Sequence, residues 1–163
     1  MNVQESAAWE IHTFLVHSGI PYAIIGGLAV QWWGESRLTK DVDLTVATPL
    51  DQPSQFFIQQ VLERFPARLD DALDFARRNR VILVTASNGC PVDISMGLPG
   101  YEDEVMRRAV EVELAPGKAV RFCSADDLIV HKAIAGARKT FATSRASSTG
   151  NATVSTWSTS VLG

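Results

Sequence analysis

Ile24 to Val46 reads IIGGLAVQWWGESRLTKDVDLTV: an apolar run, two adjacent glycines, a polar stretch, then Asp41 and Asp43 separated by one valine. The preceding residues complete a short buried strand, YAIIGG, that runs into glycine. LAVQWWG is compatible with a helix that begins at the glycines and ends at Gly34. DVDLTV alternates Asp41, Asp43 and Thr45 with Val42, Leu44 and Val46, the period-2 pattern of a half-buried strand, so both carboxylates are expected on one side. The glycines therefore fall at a strand-to-helix junction shortly ahead of an acid pair.

Working outward, Ala8, Ile11, Phe14 and Leu15 recur at helical spacing between Gln4 and Ser18, and Gly19 and Pro21 stop that helix. Helical patterns follow at Ser54 to Arg64 and Asp70 to Arg78, separated by Pro66. RVILVTA and PVDISM read as two strands joined at Asn88-Gly89, a hairpin signal, which places a third acid, Asp93, on a strand. A short helix over Tyr101 to Arg107, the strands AVEVEL and AVRFC, and a helix opened by a Ser124-to-Asp127 capping box complete the series. The fold class expected is α/β, or α+β in a looser classification: a small mixed sheet carrying the acids, with helices mainly on the opposite face.

Carboxylates on alternate strand residues stand close enough to share divalent cations, and Asp93 on a neighbouring strand would complete the cluster. An all-oxygen donor set favours magnesium over softer metals. Magnesium keeps several waters and shares its remaining positions with phosphates, which points to phosphoryl or nucleotidyl transfer. Gly26 and Gly27 carry no side chain to block an anion approaching the backbone N–H groups of a helix start, so a triphosphate is expected there. Taken alone, each feature has a plain structural reading: a Gly-Gly pair can serve a turn, and an Asp-apolar-Asp strand can be an exposed face.

Together these residues resemble the motif of the DNA polymerase β-type nucleotidyltransferases. Ile25-Gly26-Gly27 is followed by a 13-residue spacer, Leu28 to Lys40, and by Asp41-Val42-Asp43-Leu44, while Val92-Asp93-Ile94 matches the later apolar-acid-apolar element. The wording GGLAVQWWGESRLTKDVDL is most similar to bacterial minimal nucleotidyltransferases and AbiEii-like proteins, several of which are toxins of toxin–antitoxin systems. The likeness extends over about Tyr22 to Gly136, with only the glycines and the acid motifs specific.

The resemblance implies two magnesium ions held by Asp41, Asp43 and Asp93, with Asp93 also activating an acceptor hydroxyl that attacks an NTP. The acceptor would be RNA or protein, with a cognate antitoxin as partner. Position 28 is Leu where some relatives use Ser, so phosphate contact falls to backbone and basic groups; Arg37, Lys40 and Lys132 are the candidates. Arg37 and Lys40 could instead simply pair with the acids, and Lys132 could be a solvated helix residue. Trp32 and Trp33 could stack on a base, with at least one expected in the core.

A chain of 163 residues, 46% of them hydrophobic, can build a core in one domain. The formal net charge of −3 supplies no broad basic field, so a nucleic-acid partner would have to be engaged locally. Cys90 and Cys123 form no metal-type or redox pair, which suits a reduced, cytoplasmic protein. No apolar run suggests a membrane span, and the N-terminus lacks the order of a signal peptide.

The expected nucleotidyltransferase domain covers residues 1–136. The tail, 137–163, is rich in Ser and Thr and contains no acid. Disorder is one expectation for it. A frameshift is the other: from Lys139, permissible codons read from their third base give KDxRDVEGILDRQ, which is similar to the charged helix relatives carry there. An altered C-terminus would impair activity, favouring a non-catalytic nucleotide-binding or interaction module. A further alternative is an antibiotic nucleotidyltransferase, for which the chain is short.

Overall fold

The computed structural model describes residues 1–34, 38–47 and 53–134. The chain divides into two compact units, Met1–His131 and Lys132–Gly163. The first carries helix α1 (Val3–His17), strand β1 (Tyr22–Ile25), α2 (Gly26–Trp32), β2 (Val42–Ala47), α3 (Pro53–Arg64) and α4 (Ala72–Asn79). It continues with β3 (Val81–Thr85), β4 (Pro91–Gly97), α5 (Tyr101–Arg108), β5 (Val110–Ala115) and β6 (Lys118–Phe122). A last helix, α6, runs over 125–134. The architecture is mixed α/β: among the described residues, six helices and one six-stranded sheet in the order β3-β4-β2-β1-β6-β5.

The sheet is mixed in direction. β1 runs antiparallel to β2, β2 parallel to β4 and β3 antiparallel to β4; on the other side β1 runs parallel to β6, which is antiparallel to β5. Cross-strand partners point to the same side of a sheet, so the register sorts its two faces. Tyr22, Ile24, Val42, Leu44, Val46, Val92 and Ile94 share one face and are buried. Asp43, Thr45, Asp93 and Ser95 share the other.

α1 covers the apolar face with Ala8, Ile11 and Leu15, and the Tyr22 hydroxyl meets His12 Nδ1 at 2.6 Å. Burial pushes that phenol up to about 12 and lowers the His12 imidazole, so the contact joins two neutral groups. On the acid-bearing face α5 brings Glu102 beside Thr45, and burial raises its carboxyl above the usual range.

The N-terminus of α1 is secured by a capping box: Asn2 Oδ1 accepts from the Glu5 N–H at 2.8 Å, and Glu5 Oε2 accepts from the Asn2 N–H at 2.7 Å. Further along, Glu10 accepts from both the backbone N–H and the hydroxyl of Ser87, at 2.9 and 2.7 Å, tying the β3–β4 turn to α1. No helix among the described residues is long and apolar enough to cross a membrane.

Candidate active site

Parallel pairing sets Asp43 of β2 directly beside Asp93 of β4. Two rigid neighbouring strands thus present both carboxylates on one face. Asp41 lies one residue ahead of β2, where no ladder positions it. Thr39 does so instead: its hydroxyl donates to Asp41 Oδ1 at 2.8 Å, and its own carbonyl accepts from Gln4 Nε2 of α1 at 3.1 Å. One carboxylate oxygen from each of Asp41, Asp43 and Asp93 lies within 4.8 Å of the others, and all three residues are partly exposed.

Gly26 and Gly27 are pressed against this cluster. Gly26 adopts a left-handed φ of 66°, and a Cβ there would stand 2.0 Å from Asp43 Oδ2. At Gly27 a Cβ would stand 2.4 Å from Thr39 Oγ1. The two glycines therefore make room for a cluster carboxylate and for the threonine that holds another. This role is separate from the phosphate-facing one expected of them.

Sequence reasoning passed over Arg68. Its backbone N–H donates to the carbonyl of Leu83 at 3.0 Å, and Leu83 is the cross-strand partner of Asp93. That bond sets Arg68 next to the acid, and Nη1 meets Asp93 Oδ1 at 2.5 Å with both side chains about one-third exposed. An arginine between a proline and a helix carries no periodic signal; only the tertiary pairing reveals it.

Lys40 is exposed beside Asp41, with its carbonyl facing the Cys90 thiol at 3.7 Å. Arg37 lies outside the described residues, and Lys132 belongs to the second unit. Trp32 and Trp33 depart from the expectation that at least one is core, being 51% and 42% exposed. Trp32 stands 6.0 Å from the Phe122 ring, and Trp33 Nε1 donates to the Cys123 carbonyl at 3.0 Å. Burial raises both thiols, Cys123 to about 12, so neither is an activated nucleophile.

No family model matches the chain, and no curated protein does. Solved structures do match it. One is an antigenic nucleotidyltransferase-like protein from Paracoccidioides brasiliensis, at 19% identity over 74% of this chain and 60% of that one, with a TM-score of 0.48. Another is the Thermotoga maritima CCA-adding enzyme complexed with tRNA, at 15% identity over 72% of this chain and 28% of that one, with a TM-score of 0.41. This chain thus spans less than two thirds of the length of either structure. The fold described above rests on strand order and register, independently of these likenesses.

Proposed function

We propose that the protein is a magnesium-dependent nucleotidyltransferase that moves an NMP from an NTP to a hydroxyl acceptor and releases pyrophosphate. The observation carrying this reading is the convergence of Asp41, Asp43 and Asp93 within 4.8 Å. The donor set suits the ion: all the ligands are hard oxygens, and opposite ligands of one magnesium stand about 4.2 Å apart, so small side-chain movements or a second ion span the cluster. Bound by these three residues, magnesium would supply charge neutralisation for the triphosphate and for the pyrophosphate leaving group.

In the transfer, the acceptor oxygen forms a bond to the α-phosphorus while the α–β bridging P–O bond breaks, and pyrophosphate departs with the electron pair. Asp93 Oδ1 is engaged by Arg68, which leaves Oδ2 to take the acceptor proton. Asp41, fixed by Thr39, and Asp43 would hold the magnesium that neutralises the nucleotide's charge-bearing end. Gly26, Gly27, Lys40, Arg37 and Lys132 are the proposed nucleotide contacts. The acceptor we propose is RNA or protein, in a cytoplasmic, toxin-like setting with a cognate antitoxin. The catalytic domain is proposed to occupy 1–136, with 137–163 as a separate tail.

Incubation with each α-labelled NTP and magnesium, followed by separation of RNA, protein and small molecules, tests the reaction. Label should enter one pool and disappear on chelation; labelled NTP left intact in every pool, under conditions where the protein binds divalent metal, would overturn the proposal. A narrower prediction concerns Thr39. Thr39→Ala should weaken Mn2+ binding about tenfold, as loss of an outer-shell partner does. Thr39→Ser should retain it, as read by electron paramagnetic resonance of free Mn2+. Equal affinity in the two variants would remove Thr39 from the site.

A further inference from the structure

We infer that Arg68 is a phosphate-binding residue of this site, bridging Asp93 to a phosphate oxygen of the substrate. The inference rests on the nucleotidyltransferase reading and adds to it a residue that the sequence motif lacks.

Three observations carry it. First, Arg68 is placed deliberately: its main chain is bonded to Leu83, the residue paired across the ladder with Asp93, and Ala67 bridges to Val84. These belong to one antiparallel bridge, completed by the Thr85 N–H to the Pro66 carbonyl at 2.9 Å, which fixes the backbone leading into Arg68 against β3. Second, only Nη1 is engaged, on Asp93 Oδ1; Nη2 and Nε make no hydrogen bond among the described residues, and the side chain is 32% exposed. A planar fork with one tine on a carboxylate and two donors that make no hydrogen bond among the described residues is suited to a second oxyanion, and phosphate is one whose geometry the arginine fork matches.

Third, the cluster is asymmetric. In the order β3-β4-β2-β1, Asp43 has Gly26 against it on the β1 side, whereas Arg68 stands beside Asp93 on the β3 side. The carboxylates are thus flanked by bare backbone on one side and a guanidinium on the other. A phosphate approaching from the β3 side would meet three acids and repulsion if Arg68 were absent. With Arg68 it meets a cation already held in place, which loses little side-chain entropy on binding.

Two sources share this chemistry: the triphosphate of the NTP, and the phosphodiester next to the 3′-hydroxyl of a polynucleotide acceptor. A protein hydroxyl acceptor brings no phosphate of its own. Involvement of the second source would therefore select RNA over protein as acceptor.

The test compares full-length wild type with Arg68→Gln and Arg68→Lys, using Asp43→Ala as a reference for a lost carboxylate. Equilibrium binding is measured for α,β-methylene NTP analogues with magnesium, for a short single-stranded RNA ending in a 3′-hydroxyl, and for Mn2+ alone. Arg68→Gln should weaken at least one phosphate ligand about tenfold or more, with partial recovery in Arg68→Lys and Mn2+ binding kept or tightened. Loss confined to the NTP analogue identifies the triphosphate; loss confined to RNA identifies the acceptor.

The inference is overturned if wild type and Arg68→Gln bind both phosphate probes alike, or if wild type binds Mn2+ but neither probe. It is overturned equally if Arg68→Gln loses Mn2+ binding in step with the probes, since Arg68 would then only orient Asp93. Failure of wild type to bind Mn2+ would instead strike the nucleotidyltransferase reading, and this inference with it. Thermal melts of each variant separate these outcomes from loss of fold.

Discussion

Gly26→Ala should lower thermal stability by about 3 kcal/mol, roughly 10 °C for a chain of this size, and abolish Mn2+ binding. Two costs combine. The left-handed backbone, with φ at 66°, disfavours any side chain by about 1–2 kcal/mol. The new methyl would also stand 2.0 Å from Asp43 Oδ2 and 2.6 Å from its Cβ, so either the strand or the turn must yield. Forced repacking of this kind costs about 1–3 kcal/mol. Gly19→Ala is the control, because Gly19 has nearly the same φ, 67°, but nothing within 4 Å of the added methyl. It should show the backbone cost alone and leave Mn2+ binding intact. Equal melting shifts and equal Mn2+ affinities in the two variants would show that Asp43 does not lie against Gly26.

That pair of variants also addresses the question raised by the sequence, why a Gly-Gly pair should precede an acid pair so closely. The chain passes from β1 through α2 into β2, which pairs antiparallel with β1, and the register sets Ile25 against Asp43. The glycine after Ile25 must then clear the aspartate's side chain. The requirement is steric, and it holds whether or not a phosphate also approaches the turn.

Much of this was legible in the chain. The alternation of DVDLTV placed Asp43 and Thr45 opposite Val42, Leu44 and Val46, and the Asn88-Gly89 turn announced the β3–β4 hairpin, because both depend on short-range backbone geometry. The parallel pairing of β2 with β4 was not legible: it joins segments separated by two helices and a strand, and no local pattern encodes which strand becomes a neighbour. Thr39 and Arg68 were missed for a related reason. Each acts through a side-chain contact made outside the regular elements, where periodicity carries no information. The tryptophans misled in the opposite direction, since their apolar character suggested core while α2 leaves both partly in water. The expectations for residues 137–163 lie outside the described residues.

A second large effect is expected far from the acids in sequence, at the start of α6. Asp127 is 3% exposed and carries an unusually dense set of partners. Arg108 donates through Nε and Nη2 at 3.0 and 2.6 Å, Ser124 Oγ donates at 2.7 Å, and the Tyr101 hydroxyl donates at 3.3 Å. The Ser124 hydroxyl in turn accepts from the Asp127 N–H at 3.2 Å, so the capping box read from the sequence is also the anchor that joins α5 to α6. The Arg108 hydrogen bond, helped by Ser124, holds the Asp127 carboxyl below its usual range against the opposing effect of burial.

Because its pKa is depressed in the folded chain, Asp127 contributes stability that is fully present above the unfolded value, near 3.8, and is lost as pH falls through the folded one. Asp127→Asn removes the charge while keeping the shape, and leaves a half-buried guanidinium facing an amide. The expected loss at pH 7 is about 2 kcal/mol, moderated by the solvent access of Arg108. Thermal melts from pH 7 down to pH 3 should show the gap between wild type and variant narrowing as the acid limb is reached, since protonation does to the wild type what the substitution has already done. A gap that stays constant with pH would mean that shape alone, and not the ionised carboxylate, holds the two helices together.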